Sequence, residues 1–322
     1  MQPGFHTGEK LEALLRYVRN AKIDDVMFFM NCEELFEGHL SIAEYAPWLS
    51  LIRQAGAVLR TAGVDFSLNP WTTILHTDRG RRKPEGWDYQ AMVGPDGMAC
   101  QAVACPLDEA FLEYLCGLYA HFATLSPTVL WVEDDFRLHN HAPLLWGGCF
   151  CPEHMRRFSD ALGFPVSREE FVKRAFAPGP PNPYRNAWLQ VAEETMTAFA
   201  RRLGAAVRAA NPKVALGLMS SQPAVHCVEM RDWSAVFEGL RTGVPACSRP
   251  HLPAYGDMHA TQYLYRFPGA TARTVDALPE GTAVYPELEN FPHSRFAKSD
   301  AMGAFQVELA LAAGISGMTL NL

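Results

Sequence analysis

The chain has 322 residues, of which 48% are hydrophobic and 20% are charged, and its formal net charge is −7. A globular chain of this length and composition can bury a large core. The negative charge argues against a protein that binds nucleic acid or an anionic membrane, since both surfaces attract basic faces. The basic run from Arg79 to Lys83 is expected to be a solvated loop.

The N-terminus lacks the apolar core of a signal peptide, and no stretch reaches the roughly 18 apolar residues that a membrane span requires. We therefore expect a cytoplasmic protein that binds neither nucleic acid nor membrane. In that reducing compartment, the eight cysteines are expected to be buried thiols or metal ligands rather than disulfides.

Short apolar runs alternate with segments of helical periodicity along the chain. The predicted strands are 25–31, 64–69, 89–93, 128–136, 214–219, 251–255, 282–288 and 317–322. The predicted helices are 10–21, 43–62, 108–125, 188–210, 232–240, 261–278 and 299–313. Strands that alternate with helices favour parallel pairing, and eight such units predict an α/β fold of the (β/α)8 TIM-barrel type. One catalytic domain is expected over residues 1–322, with a long excursion at about 137–187 after strand four.

No helix is predicted after the eighth strand, so the last helix of such a barrel is expected to be missing. The apolar surface exposed in this way would be covered by the N-terminal helix or by a partner subunit, unless the sequence is cut from a longer protein. We accordingly expect a homo-oligomer.

Acidic residues cluster where two of the predicted strands end. Glu133, Asp134 and Asp135 end strand four, whereas Glu287 and Glu289 end strand seven. In a parallel barrel, catalytic residues lie at the C-terminal ends of the strands. Glycoside hydrolysis requires two carboxyl groups, and these two strands can supply them from opposite walls. The pattern therefore predicts a carboxylate pair across the barrel mouth.

Other polar and aromatic residues near strand ends fit a carbohydrate cleft, because sugars stack on aromatic rings and hydrogen-bond to amides. The predicted substrate-binding residues are Asn31, Glu34, Asn69, Trp71, Glu133, Asp134, Arg137, His139, His141, Trp146, Glu287 and Asn290. The alternative for the acids is a network of ion pairs with Arg137, His139 and Arg295. A single tryptophan is more often part of a core than a ligand contact.

A second motif, Cys149-x-Cys151-x-x-His154, has the close ligand spacing of a tetrahedral zinc site. The fourth ligand would be Cys105 or Cys100. Four protein ligands leave no open coordination position, so this zinc would be structural. The alternative is that both cysteines are merely buried and that His154 is an ordinary polar residue.

The residues at both strand ends resemble glycoside hydrolase family 42, the barrel β-galactosidases of clan A, over most of the chain. That family carries Ile-Asp-Asn-Glu-Phe where this chain has Val132-Glu-Asp-Asp-Phe136, which implies that Asp135 is the acid/base and that Asp134 replaces an asparagine. The family motif Glu-Gln-x-Pro matches the four residues 289–292, which implies that Glu289 is the nucleophile. The choice of Glu289 over Glu287 rests on this match.

Many members of that family hold zinc through one cysteine after strand three and a Cys-x-Cys-x-x-Cys run after strand four. Cys105, Cys149, Cys151 and His154 resemble that set, with histidine replacing the last cysteine. The resemblance implies a structural zinc ion at these four residues. No organic cofactor is predicted.

Together these patterns predict a β-galactosidase-like, retaining glycoside hydrolase that cleaves a terminal glycosidic bond of a carbohydrate substrate. One alternative is a catalytically silent carbohydrate-binding or assembly protein on the same barrel. Another is a zinc-dependent hydrolase that uses His139 and His141 with an open water position.

Overall fold

The structure, a computed structural model, describes residues 2–31, 37–139, 144, 147–251, 256–289, 296–315 and 317–320. Its helices are α1 (Thr7–Ala21), α2 (Ile42–Thr61), α3 (Glu109–Ala123), α4 (Pro152–Leu162), α5 (Arg168–Ala175), α6 (Pro183–Ala210), α7 (Trp233–Leu240), α8 (Ala260–Ala277) and α9 (Asp300–Ala312). Its strands are β1 (Asp25–Phe29), β2 (Asp65–Asn69), β3 (Ala91–Val93), β4 (Ala99–Ala104), β5 (Val129–Val132), β6 (Ala215–Ser220), β7 (Cys247–Pro250), β8 (Glu287–Leu288) and β9 (Thr319–Leu320). Short 3-10 turns lie at Val225–Glu229 and Asp257–His259.

The chain has the α/β fold that the sequence predicts, with parallel strands that alternate with helices. One sheet has the order β1-β2-β5-β6-β7, and all of its pairs are parallel. A parallel bridge between Ser248 and Val284 continues this order toward β8, which pairs in parallel with β9. The pairs found among the described residues do not include one between β9 and β1, which a closed barrel would need.

Side chains alternate along these strands, so every second residue faces the interior of the curved sheet. There Trp131 packs with Met219 and Cys247 in a small buried cluster, which Met27 and Tyr285 border. The opposite face of the sheet contributes to the main core, which is shared with the surrounding helices. This arrangement leaves the C-terminal ends of the strands as the place where interior polar side chains can meet a ligand.

The helices begin where the sequence supplies capping groups. Ser41 and Glu44 form a reciprocal capping box at the start of α2, and Asn182 caps α6 immediately before a proline at the first helical position. Both devices satisfy backbone N–H groups that otherwise lack a partner at a helix start. No helix among the described residues combines the length and apolar composition needed to cross a membrane.

Two predicted strands differ from the structure in pairing or position, and two others are longer than the observed strands Val129–Val132 and Glu287–Leu288. The segment 89–93 does not form a parallel barrel strand, because Ala91–Val93 pairs antiparallel with β4 in a hairpin. The predicted sixth strand, 251–255, corresponds to β7 (Cys247–Pro250), so the prediction lay too late in the chain. Residues 252–255 lie outside the described part. The excursion expected at about 137–187 contains α4, α5 and the first turn of α6.

The close packing of α6 on α7 depends on a glycine. A Cβ atom at Gly204 would overlap the carbonyl oxygen of Gly239, so the two helices would have to move apart. We expect Gly204→Ala to lower the free energy of unfolding by about 3 kcal/mol, as overpacking of a tight core does. Gly117→Ala on α3 is the matched control, because nothing lies within 4 Å of its added Cβ. Denaturant unfolding should show this control gaining up to about 1 kcal/mol from helix propensity. Equal effects of the two substitutions would contradict the packing account.

The first residue of β1 carries a carboxylate that the fold disfavours. Burial raises the pKa of Asp25 to about 6; a hydrogen bond from Ser67 opposes that rise and the carboxylate of Asp65 adds to it. The charged form therefore destabilises the folded protein above pH 6, and this penalty disappears below the ordinary value near 3.8.

We expect Asp25→Asn to raise the free energy of unfolding by about 2 kcal/mol at pH 8 and by about half of that at pH 5. Urea unfolding at both pH values measures the change. Asp24→Asn, at an exposed neighbouring position, is the control and should have little effect. A gain at Asp25→Asn that does not shrink at the lower pH would contradict the assignment to this titration.

Candidate active site at the strand ends

Four polar side chains and one methionine meet at the C-terminal ends of five strands of the parallel sheet. Asn69 Nδ2 donates a hydrogen bond of 2.5 Å to Glu133 Oε2 and lies 3.3 Å from the sulfur of Met219. A terminal nitrogen of Arg249 approaches the same sulfur at 3.3 Å, and the other pairs with Glu287 Oε1. We call these five residues the strand-end network. It connects the acids of β5 and β8, the two strands from which the sequence predicts a carboxylate pair.

The two carboxylate oxygens of Glu287 have different surroundings. Its Oε1 atom pairs with Arg249, whereas its buried Oε2 atom accepts no hydrogen bond from the described residues. Burial raises the pKa of Glu287 to about 7; Arg249 opposes the rise, and the neighbouring Glu289 carboxylate adds to it. A carboxylate oriented through one oxygen, with the other exposed to the interior, can act as a nucleophile.

Glu289 follows on the same side of the chain, as the alternation of side chains along β8 predicts, and it is less buried than Glu287. Its backbone oxygen accepts a hydrogen bond of 3.1 Å from Lys298 Nζ, which also binds Gln306. The structure therefore brings together the two acids that the sequence offers as candidate nucleophiles.

Glu133 directly follows β5 and is 5% exposed. Burial raises the pKa of its carboxyl group, against the effects of His76, Arg249 and the hydrogen bond from Asn69. A carboxyl group whose protonated form is favoured by burial can act as a general acid.

Asp134 faces away from the strand-end network, toward the end of β6. It accepts hydrogen bonds of 2.8 Å from both the backbone N–H and the hydroxyl of Ser221, and it pairs with Arg137 at 3.0 Å. Burial favours the neutral form, but Arg137, His226 and the other partners together lower the pKa of Asp134 to about 2. This residue is therefore a fixed anion that positions Arg137 and the loop after β6.

Asp135 is fully buried and joins the loops that follow β2 and β5. Its Oδ2 atom accepts backbone hydrogen bonds from Thr73 at 2.8 Å and Leu75 at 2.6 Å, and its Oδ1 atom accepts one from the Thr73 hydroxyl. Burial raises the pKa of Asp135, and His76 and these hydrogen bonds oppose that rise. All the hydrogen bonds described for this carboxylate thus come from the loop after β2.

The four predicted metal ligands come together where the segment after β4 meets the start of α4. The ligand atoms of Cys105, Cys149, Cys151 and His154 lie within 4.8 Å of one another, and all four residues are buried. The sulfurs of Cys105 and Cys151 are 3.7 Å apart, and each lies 3.3–3.4 Å from His154 Nδ1. Zn–S bonds of about 2.3 Å and Zn–N bonds of about 2.0 Å in a tetrahedron imply separations of about 3.5–3.8 Å.

The surroundings of this group also suit thiolate ligands. Backbone N–H groups point at the sulfurs: Val93 and Cys151 donate to Cys149, and Leu107 donates to Cys105. Hydrogen bonds from Cys105 and Cys149 lower the pKa of Cys151, whereas burial raises the pKa of Cys105 and of Cys149 and so opposes their thiolate form unless a cation is bound. The donor set therefore fits a closed tetrahedral metal site with no open position for water.

His139 belongs to a second buried group rather than to the strand-end network. Its Nδ1 atom lies 3.5 Å from Glu229 Oε2, and His226 Nδ1 lies 3.0 Å from Glu229 Oε1. The guanidinium of Arg231 pairs with the same carboxylate at 2.6 Å. His139, His226 and Glu229 are close enough to hold a metal ion, but the guanidinium of Arg231 already neutralises Glu229. Burial and Arg231 lower the pKa of His226 to about 4.

Trp71 and Asn31 lie at the ends of β2 and β1 with backbone conformations that bulky residues rarely adopt. Trp71 has φ = 68° and donates its N–H to Asn69 Oδ1 at 2.7 Å, and its ring packs near Phe29 and His76. Asn31 has φ = 51°, and its side chain binds the backbone of Gly38 and Glu37. Left-handed backbone at non-glycine residues concentrates at functional sites.

Some predicted site residues lie outside the described part of the chain: Glu34, His141, Trp146 and Asn290. Sequence reasoning missed Arg249, His226 and Glu229. For Arg249 a signal was present, because an arginine between the apolar residues of a buried strand needs an acidic partner. No comparable signal marked His226 and Glu229, which lie in the short 3-10 turn after β6.

No family model matches the sequence, and no curated protein matches it significantly. Solved structures do match the fold. The catalytic domain of the β-amylase from Paenibacillus polymyxa superposes with a TM-score of 0.60 at 12% identity, over 99% of this chain and 90% of that one. The β-galactosidase from Halorubrum lacusprofundi superposes with a TM-score of 0.62 at 14% identity, over 99% of this chain and 51% of that one.

The β-galactosidase from Bacillus circulans sp. alkalophilus gives a TM-score of 0.62 at 11% identity, over 98% of this chain and 48% of that one. The chain thus spans about half the length of the β-galactosidases that it resembles. At these identities the likeness establishes a common fold, which is the fold of glycoside hydrolases.

Proposed function

We propose that this protein is a glycoside hydrolase that cleaves a terminal glycosidic bond in the manner of the family 42 β-galactosidases. The observation that carries the proposal is the strand-end network, which joins buried carboxylates of β5 and β8 through Asn69, Met219 and Arg249. This reaction requires two carboxyl groups, one on each side of the glycosidic bond that is cleaved. The fold shared with known glycosidases supports the same function.

Among the candidate nucleophiles, the contacts favour Glu287. Its Oε1 atom is fixed by Arg249 and its Oε2 atom has no hydrogen-bond donor in the described part of the chain. Glu289, the nucleophile that the motif predicts, lies beside it and remains the alternative. In a retaining reaction, the chosen carboxylate attacks the anomeric carbon and forms a glycosyl ester, which water then hydrolyses.

For the acid/base, the contacts favour Glu133 over the motif-based prediction of Asp135. Glu133 belongs to the strand-end network, and burial raises its pKa. Asp135 instead holds two loops together through Thr73 and Leu75. In the proposed reaction, Glu133 donates its proton to the leaving oxygen and afterwards takes a proton from the attacking water.

The four residues of the cysteine–histidine group would hold a zinc ion outside the reaction. Cys105, Cys149, Cys151 and His154 supply a complete tetrahedron, so the ion would tie the excursion to the segment after β4 and leave no position for a substrate. Its contribution would be to the stability of the loops around the mouth.

Hydrolysis of a panel of p-nitrophenyl glycosides tests the proposed function. The panel should contain the α- and β-anomers of galactose, glucose, mannose, fucose and N-acetylglucosamine, and release of p-nitrophenolate is followed by absorbance. We expect turnover of at least one β-glycoside. A correctly folded, metal-loaded protein that releases nothing from any member would overturn the proposal.

The second candidate function is a catalytically silent carbohydrate-binding protein. The enclosure of Asp135 by Thr73 and Leu75 favours it, because the position where the family motif carries the acid/base is used here for structure. Sugar binding seen by saturation-transfer NMR without any turnover on the panel would support this candidate.

A further inference from the structure

We propose that Arg249 is a positioning residue that serves both carboxylates of the site and transfers its electrostatic support from Glu287 to Glu133 during the reaction. This inference rests on the proposed function. It concerns a residue that the sequence motifs do not mark, in a strand that the sequence places a few residues too late.

The guanidinium of Arg249 is held in a fixed orientation by three strands. Its Nε atom donates a hydrogen bond of 3.0 Å to the hydroxyl of Thr319 on β9. One terminal nitrogen lies 3.3 Å from the sulfur of Met219 on β6, and the other pairs with Glu287 on β8. The side chain is 9% exposed. A planar fork anchored at all three nitrogens has little freedom to rotate, so it can orient the carboxylate that it binds.

The same cation acts on both acids. The sulfur of Met219 lies 3.3 Å from a terminal nitrogen of Arg249 and 3.3 Å from Asn69 Nδ2, the atom that donates to Glu133, so the guanidinium is linked to both acids. In keeping with these contacts, Arg249 lowers the pKa of Glu287 and of Glu133 against the effect of burial. The other groups that face Glu287 are Glu289 on the same segment and His251 after β7. Those that face Glu133 are His76 after β2, Asn69 at the end of β2 and the backbone of Asp134. Arg249 therefore acts on both carboxylates.

The carboxylate that Arg249 stabilises changes in the course of the reaction. In the first step, a Glu287 oxygen forms a bond to the anomeric carbon while the bond from that carbon to the leaving oxygen breaks, and the proton of Glu133 moves to that oxygen. The resulting glycosyl ester is neutral, so the charge of Arg249 then acts on Glu133 alone. This favours the carboxylate form of Glu133, which is the form that must accept a proton from water in the second step.

In that second step, the water oxygen forms a bond to the anomeric carbon and the ester bond breaks. The proton of the water moves to Glu133, and the Glu287 carboxylate returns to Arg249. The arginine thus supports the nucleophile before attack and the base after it, without moving.

Arg249→Met and Arg249→Lys test the proposal. Thr319→Val is the control that keeps the charge of Arg249 and removes the anchor of its Nε, together with the long hydrogen bond from the Thr319 hydroxyl to the Pro286 carbonyl oxygen. For Arg249→Met we expect the acid limb of the pH profile of kcat/KM to move to higher pH by about one unit or more. The ratio of kcat/KM at pH 6.5 to kcat/KM at pH 9 should therefore be about ten times lower in this variant than in the unsubstituted protein. Arg249→Lys should keep most of the charge effect but lose orientation, so that kcat falls with a smaller shift. Thr319→Val should lower kcat without moving the limb.

An acid limb that stays in place in Arg249→Met, with activity reduced equally at every pH, would show a merely structural role and overturn the proposal. The titration of Glu287 provides a readout that needs no substrate. It is followed by NMR of protein labelled with 13C at the glutamate carboxyls, and the signal is assigned by its absence in Glu287→Gln. An unchanged midpoint in Arg249→Met overturns the role of Arg249 whether or not the protein is active. A raised midpoint in a protein inactive on every glycoside would contradict the proposed function and leave the contact itself intact.

Discussion

Glu287→Gln is expected to lower kcat/KM by at least about 1,000-fold on every glycoside that the protein hydrolyses, which corresponds to about 4 kcal/mol of transition-state stabilisation. The amide keeps the size of the side chain and can still contact Arg249. It cannot form the glycosyl ester, because an uncharged amide is a poor nucleophile. Initial rates with the best p-nitrophenyl glycoside measure the loss. The same measurement on Glu289→Gln decides between the two acids.

Variants at the β5 end separate the acid/base from the structural acid. An acid/base variant should lose much more activity on alkyl glycosides than on p-nitrophenyl glycosides, since p-nitrophenolate leaves without protonation. We expect Glu133→Gln to show this dependence on the leaving group. Asp135→Asn should instead lower the melting temperature, because an amide NH2 replaces one of the two charged oxygens that accept the Thr73 hydroxyl and the backbone N–H groups of Thr73 and Leu75. The opposite pattern would restore Asp135 as the acid/base and contradict our choice of Glu133.

Removal of metal is expected to have the largest effect on stability. The four ligands connect the segment after β4 with the excursion, so the loss of an ion bound between them would remove that connection. We expect Cys151→Ser, or prolonged exposure to a chelator, to lower the free energy of unfolding by at least about 4 kcal/mol. Thermal unfolding and metal analysis by plasma mass spectrometry check the two parts of this prediction.

The chain offers two controls for the metal site. Cys227→Ser changes an exposed cysteine, and Cys247→Ala changes a buried one in the sheet interior, away from the four ligands. Neither should change the metal content. Purified protein that contains no zinc, and whose melting temperature is the same with and without chelator, would contradict the zinc proposal.

The fold could be predicted from the sequence because it depends on repeated local signals. The strands that the periodicity identified best are the ones buried on both faces, such as β2 and β6. The prediction was wrong at 251–255 for a physical reason. The true strand, Cys247–Pro250, contains an arginine and a proline, and neither is typical of a central strand. That arginine is tolerated in the interior because Glu287 neutralises it.

The site could be predicted only in part. The alternation of side chains correctly places Glu133 inside the sheet, but the strand ends at Val132, and two tight turns follow. Beyond that point the alternation rule no longer applies, so Asp135 turns toward Thr73. The cysteine–histidine spacing, by contrast, predicted a cluster that the fold does assemble, because three of its members lie within six residues of each other. Contacts between distant strands, such as Arg249 with Thr319, leave no trace in local sequence.

The most direct test of the central claim is to trap the glycosyl ester. The protein is incubated with a 2-deoxy-2-fluoro glycoside that carries an activated leaving group and corresponds to the preferred sugar of the panel. The modified residue is then located by tandem mass spectrometry. We predict one fluorosugar per chain, attached to Glu287. Attachment to an acid of β5, or turnover with inverted product and no labelled carboxylate, would contradict the account.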